Sequence, residues 1–233
     1  MREITREITQ EEINAKLEAH KLWLDTVSDQ GEQAVFKDVL IKEKDFSNLD
    51  LHEVIFKNVK CENTDFCRTD LCCAVFKDTK FYAPKFRNAI LKYAKFVSCH
   101  IVDGTYCNAI LDNARFLRTN LFNVSFQYAK LTGTFFAVST IENTRLNWVI
   151  PTYMCGQKVI CVQVNTSRLN NLIAYWADLG IWTTGCFQGT LEKLREAVAK
   201  KHKDNPFLRS RYERAINYIL EEDKADKEAG KEK

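Results

Sequence analysis

The sequence predicts a mainly β chain whose backbone turns a corner every five residues over 34–148. A helical cap precedes this block and a small α+β module follows it. Three observations carry the prediction. Every fifth residue from Phe36 to Leu146 is apolar, 23 positions without a break. Two residues before most of them stands a small or β-branched residue, as at Ala34, Val39, Thr64, Thr69, Ala74, Ala89, Ala94, Ala109, Ala114 and Ala129. Beyond Leu146 the period stops, and strand and helix patterns replace it. A period of five fits neither the 3.6-residue repeat of a helix nor the two-residue repeat of a flat strand, so the backbone must bend at every fifth residue.

The segments DFSNLDL at 45–51, TDFCRTDL at 64–71, NAILKYAKF at 88–96 and NAILDNARF at 108–116 read as A(D/N)(L/F)xx. In this they resemble the pentapeptide-repeat family, over about half of the chain. The resemblance implies a right-handed quadrilateral β-helix, a solenoid with one pentapeptide per face and four per coil, so that residues twenty apart share a column. Lys44, Leu49, Pro84 and Gly104 occupy the small slot and predict local distortion. Between five and six coils follow, on the order of 28 Å at a strand spacing of ~4.8 Å. A second period of ten runs through the apolar slots. Phe36, Phe46, Phe56, Phe66, Phe76, Phe86, Phe96, Tyr106, Phe116, Phe126 and Phe136 alternate with slots that are mostly Leu or Ile, Phe81 and Cys61 excepted. In a four-sided coil this puts aromatic ladders on two opposite faces and aliphatic ladders on the other two.

Residues 1–33 form the N-terminal cap. Within them 9–28 read as a helix: Thr9 with Glu12 makes a capping box, and Ile13, Leu17 and Leu24 share a stripe with His20. A His in such a stripe reads as packing. The segments TQEEI and HKLWL resemble the opening helix of bacterial and prophage pentapeptide-repeat proteins. Residues 149–220 read as the α+β module. Strands are expected at 159–164 and 181–187, a helix capped by Thr190 at 191–201, and a second helix at 209–220 with Tyr212, Ile216 and Tyr218 or Ile219 inward. Its GCFQGTLEKLREAV segment resembles a C-terminal module of phage proteins of the family. Exposed N–H groups at Gly185–Thr190, ahead of a helix, suit an anion. The charged tail 221–233, EEDKADKEAGKEK, is expected to be disordered.

Composition excludes several function classes. No apolar stretch approaches the ~18 residues needed to span a bilayer, and MREITREITQEE holds no apolar signal core, so a cytoplasmic chain without membrane contact is expected. The nine cysteines include no CxxC pair, and the four His residues are not spaced as zinc ligands; no metal or cofactor is predicted. Asp45 with Asp65, and Asp50 with Asp70, lie twenty residues apart in outward columns, where the family consensus itself prefers Asp or Asn. His52 shares a column with Cys72, the nearest approach to a Cys–His pair. No catalytic constellation follows, and the chain reads as non-enzymatic.

Function then has to come from the faces. Lys37, Lys57 and Lys77 fall in one column, Lys60 and Lys80 in a column of the adjacent face, and Lys95 and Arg115 extend the first face. Stacked like charges are mildly destabilising, so the strip suits an acidic partner, or a solvated face softened by Asp38 and Asp78. On later coils Ile90, Val97, Val102, Ile110, Leu117, Phe122 and Phe135 point outward. Such residues are expected to be covered by the C-terminal module or a second copy, which allows a homodimer. Resemblance to fluoroquinolone-resistance relatives implies DNA mimicry toward gyrase by a strongly acidic helix. The block 34–148 departs from this, with 16 Lys/Arg against 12 Asp/Glu. The leading reading is an interaction scaffold, bacterial or prophage-borne, for a host protein. Weak nucleic-acid binding through the basic strip is an alternative, and small-anion binding another. The ladder assignment is checked by Phe86→Ala, which should cost ~3–5 kcal/mol as a large-to-small core change; an unchanged thermal midpoint would sink it.

Overall fold

A computed structural model describes residues 4–169 and 171–229. Two compact units divide the chain: residues through Arg145 with Val149–Gly156, and Leu146–Trp148 with the residues from Gln157 onward. No helix among the described residues is long and apolar enough to cross a membrane.

The first unit is a parallel β-solenoid. Three-residue strands stack into two six-stranded parallel sheets, one running from Val35–Lys37 to Phe135–Ala137, the other from Leu40–Lys42 to Thr140–Glu142. Single bridges such as Asp45↔Asp65 and Asp50↔Asp70 build the third and fourth faces. Between successive coils the register is twenty residues, as in Phe36↔Phe56 and Leu121↔Ile141. Each coil therefore satisfies the backbone of the next: Phe86 N–H donates to Thr105 O (2.7 Å), and Thr105 N–H donates back to Pro84 O (2.9 Å).

The corners explain the period. The residue two after each apolar centre has positive φ, as at Asn48 (59°), Asn88 (58°) and Asn108 (59°). Asn and Asp recur there because they tolerate the left-handed region best among residues with a side chain. Inside, the two aromatic ladders stand on opposite faces. Phe36, Phe56, Phe76, Phe96, Phe116 and Phe136 stack with centroids from 4.7 to 5.1 Å apart. Phe46, Phe66, Phe86, Tyr106 and Phe126 stack at 4.7 to 5.2 Å. The ladders meet edge to face, as between Phe86 and Phe96 (6.3 Å, 86°), the arrangement that ring quadrupoles favour. Small slots fill the corners, and at several that hold Thr the hydroxyl donates to a centre carbonyl one coil back, as Thr69 to Phe46 O (2.7 Å) and Thr134 to Leu111 O (2.9 Å).

The coils run further than the apolar period. Bridges Lys130↔Ile150 and Phe135↔Cys155 carry the rungs to 155, which moves the expected boundary at 148. The period is hidden there because its next centres are Pro151, which is buried, and Gly156. Gly156 has φ +79°, and a Cβ would lie 1.5 Å from Phe136 O, so only glycine closes this turn.

At the N-terminal end, α1 spans Gln10–Asp25 behind a complete Thr9–Glu12 capping box. The segment before it covers the edge of the second sheet: Leu40 N–H donates to Arg6 O (2.7 Å) and Ile8 N–H to Leu40 O (3.0 Å). His20, fully buried, accepts the Ala34 N–H at Nδ1 (3.1 Å), which closes the first rung of the other sheet.

The second unit holds an antiparallel meander, Val159–Val164, Asn171–Trp176, Ile181–Thr184 and Phe187–Gly189. The Asn171–Trp176 strand was not expected. Against the sheet pack α2 (Leu191–Lys201) and α3 (Pro206–Ala229), around Ile173, Trp182, Leu194, Tyr212, Ile216 and Ile219. Ile219 rather than Tyr218 faces inward. The tail expected to be disordered from 221 is helical through Ala229; its last four residues lie outside the described residues. Lys158 explains the correction. Its Nζ meets Asp223 Oδ1 at 2.8 Å and Asp226 Oδ2 at 3.2 Å, and Lys227 reaches Asp223 at 2.6 Å. Burial alone would raise the Asp223 carboxyl, yet the hydrogen bonds from Lys158 and Lys227 hold it below its usual range.

Two measurements test this packing. The buried Tyr106 hydroxyl has no hydrogen-bond partner, so Tyr106→Phe should raise the melting temperature by the equivalent of about 1 kcal/mol; a lower one contradicts it. Burial lowers the His20 pKa from 6.5. A depressed imidazole contributes stability that is whole above the unfolded value and lost as pH falls below about 6.5 toward the folded value. Amide exchange at Ala34 should therefore accelerate as pH drops through this window, after correction for intrinsic rates, and His20→Gln should flatten the dependence.

Candidate functional site

Register turns the outward residues into columns. Lys37 pairs with Lys57, and Lys57 with Lys77, on the first face. The next rung there is Val97, and the positive charge moves to the other side of the central ring with Lys95↔Arg115. On the adjacent face Lys60 pairs with Lys80, and Lys80 with His100. All seven cations thus lie on the two faces that carry continuous sheet. They are not equally available. Lys60 Nζ sits 2.6 Å from Glu62 Oε1 and 5.6 Å from the centroid of the Tyr82 ring, and Lys37 Nζ is 3.8 Å from Asp38 Oδ2.

The outward apolar residues are placed unevenly. Val97 and Leu117 stack on the first face, Val102 and Phe122 on the second, and Ile90 and Ile110 bridge on the fourth. Column neighbours leave Ile90, Val97, Val102, Ile110 and Leu117 half-buried, whereas Phe122 (42%) and Phe135 (36%) stay exposed in the chain. Tyr82, 37% exposed and two rungs from Phe122 in its column, belongs to the same stripe and was not singled out from the sequence. The available signal was the shared position after the centre at 81, 101 and 121.

The third face carries a second basic group missed by the sequence reading. Arg68, Lys85 and Arg87 line a shallow groove of about 430 Å³ with Ser47, Asp65 and Asn88. Asp65 lies 3.7 Å from Lys85 Nζ; burial would raise its carboxyl, but hydrogen bonding at Cys67 and the Lys85 charge lower it. In the second unit, Gly185 turns the hairpin at φ +53° and Thr190 caps α2, so these residues have structural duties before any anion. A cavity of about 300 Å³ opens beside Gly185, lined also by Arg168, Lys201, His202 and Tyr212. Burial lowers the His202 pKa, and its ring stacks on Tyr212 at 5.5 Å. Linear sequence offers no signal for this grouping, because its members come from four separate elements.

The fourth face holds the one group of potential metal ligands among the described residues: His52, Cys72 and Cys73, with donor atoms within 4.8 Å of one another. All nine cysteines are free thiols. Cys61 and Cys99 are core residues, and burial pushes Cys99 up to about 12.

Among protein families, the model of pentapeptide repeats matches this chain in eight copies, placed at residues 107–136. The matched stretch, 107–136, lies within the parallel β-solenoid and is similar to pentapeptide repeats. Solved pentapeptide-repeat structures align with this chain. QnrB1, a plasmid-mediated fluoroquinolone resistance protein, is 16% identical over 48% of this chain and 65% of its own, with a TM-score of 0.31. A pentapeptide repeat protein from the Arabidopsis thaliana thylakoid lumen is 27% identical over 40% and 61%, at 0.33. Rfr23 from the cyanobacterium Cyanothece 51142 is 15% identical over 50% and 83%, at 0.27. The chain thus spans less than two thirds of the first two structures' length. No curated protein sequence matches it significantly.

Proposed function

We propose that this chain is a non-catalytic interaction scaffold that docks an acidic protein of its host cell across the two sheet-bearing faces. The observation that carries the reading is the register of Lys37, Lys57 and Lys77, which sets three lysines on successive rungs of one parallel sheet. Such a column carries a repulsive cost in the free chain, and a partner's carboxylates relieve it. On the adjacent sheet-bearing face the exposed Tyr82 and Phe122 supply the aromatic anchors typical of protein interfaces.

The mixed character of the surface favours protein over nucleic acid. Asp38 and Glu62 interrupt the positive potential that phosphate binding needs unbroken. Mimicry of DNA toward a topoisomerase calls for an acidic rod, and this one is basic by four charges over 34–148. A bacterial or prophage origin and a cytoplasmic setting belong to this proposal; the origin rests on the sequence resemblance alone.

The test is affinity capture from bacterial lysate with the Lys57→Glu/Lys77→Glu variant beside the parent. The variant should lose the parent's acidic partner, with at least ~10-fold weaker binding and a shallower salt dependence. A partner retained equally by both proteins removes the strip as the interface. Salt-sensitive binding of duplex DNA by the parent, absent in the variant, would transfer the strip to the nucleic-acid reading.

A further inference from the structure

The fourth face carries a feature that neither the core nor the proposed interface uses. At one corner, two successive rungs present His52-Glu53 and Cys72-Cys73. The β-helix brings them together through a register of twenty: Asp50 bridges Asp70, and Glu53 N–H donates to Cys72 O at 2.8 Å. Asp50 Oδ1 accepts the His52 N–H at 3.1 Å, and Asp70 Oδ1 accepts the Cys72 N–H at 2.9 Å, so the same turn fixes the backbone under both side chains. Cys73 is held at φ +59°, which aims its side chain from the corner next to that of Cys72. The imidazole and the two thiols end within 4.8 Å of one another, all half-buried.

The geometry points to a surface site for a thiophilic divalent cation of the zinc class, held by His52, Cys72 and Cys73 with a fourth position open to water. Zinc bonds of roughly 2.3 Å to sulfur and 2.0–2.1 Å to nitrogen set donor separations of roughly 3.5–3.8 Å in a tetrahedron. The observed donor spacing, within 4.8 Å, is about 1 Å wider than this. One imidazole and two thiolates form the mixed N/S donor set that such an ion prefers over magnesium or calcium. The charges around the site are mixed, with the Lys92 ammonium acting on Cys72 and a carboxylate beside His52. Glu53 Oε1 lies 3.5 Å from His52 Nε2, where a carboxylate can orient a ligating imidazole or act as an outer partner. Packing does not require these residues, since the next two rungs of the corner carry Lys92-Tyr93 and Asp112-Asn113.

Proton competition adds a second signature. Thiols bind such an ion as thiolates, so loading the site releases protons and apparent affinity climbs with pH.

Cobalt(II) added to the full chain, kept reduced with a phosphine, provides the probe. One equivalent should produce a thiolate-to-cobalt charge-transfer band and the intense visible bands of a tetrahedral site, both bleached by zinc(II), with affinity rising from pH 6 to pH 8. Cys72→Ser/Cys73→Ser should abolish the bands, and His52→Ala should weaken binding by at least ~10-fold; Glu53→Gln should cost roughly 10-fold as an outer partner. Cys155→Ser/Cys186→Ser, which removes the two exposed cysteines, should leave them intact. Absence of a thiolate band in the parent overturns the site, as does a band of full strength in Cys72→Ser/Cys73→Ser. If that double variant loses the circular dichroism of the β-helix, Cys73→Ser alone decides, and full-strength binding there overturns the site equally.

Discussion

The hydrogen bonds between successive coils are the interaction on which the rest of this structure depends. Each face is short, three residues at most in regular strand, and no face alone could hold a sheet. Stability comes from repetition: every rung satisfies the one before it, at a register of twenty that leaves no freedom to slip. That register forces identical side chains into ladders, and the ladders decide which residues the core accepts. Rings stack on rings at 4.7–5.2 Å, close to the rung spacing itself, so backbone pairing and ring packing reinforce one another. The end of the stack needs separate treatment. The Arg6–Ile8 segment and His20 supply to the first coil the partners that every later coil obtains from its neighbour.

How much of this was legible in the residues follows from the same physics. The core was, because the five-residue period repeats the same demand 23 times. Phe36 through Phe136 stand where the period put them, in ladders on opposite faces. The end of the coils was not, because Pro151 and Gly156 meet local demands of shape that break the apolar signature. Edge covering by Arg6–Ile8 was hidden as well, since a single bridge to Leu40 leaves no periodicity to read. The tail was misread through composition. EEDKADKEA looks soluble and structureless, yet Asp223 and Asp226 are held by Lys158, some 65 residues away in sequence.

Surface chemistry was legible only where it repeated. The lysine columns emerge by counting in twenties, whereas the cavity beside Gly185 gathers Arg168, Lys201 and His202 from unrelated positions. The corner that joins His52 to Cys72 and Cys73 lies between these cases. Counting in twenties puts His52 above Cys72, but only the left-handed turn at Cys73 adds the third donor. The two units differ accordingly: one is a repeating lattice whose outside can be computed from its inside, the other a small globule around Trp182 and Ile216 whose long-range pairings are individual.

The nested periods of the rod have a consequence for how such a chain tolerates gain and loss of sequence. Five residues restore a backbone corner, ten restore the alternation of aromatic and aliphatic ladders, and only twenty restore the columns on the outside. An insertion of five therefore sets rings over aliphatics, and one of ten mends the interior but carries every later surface group half-way round the rod. Growth by whole coils is the single change to which both interior and exterior are indifferent. Lineages of this protein should vary in length by twenties, with the intermediate lengths eliminated first by packing and then by the loss of whatever the faces hold.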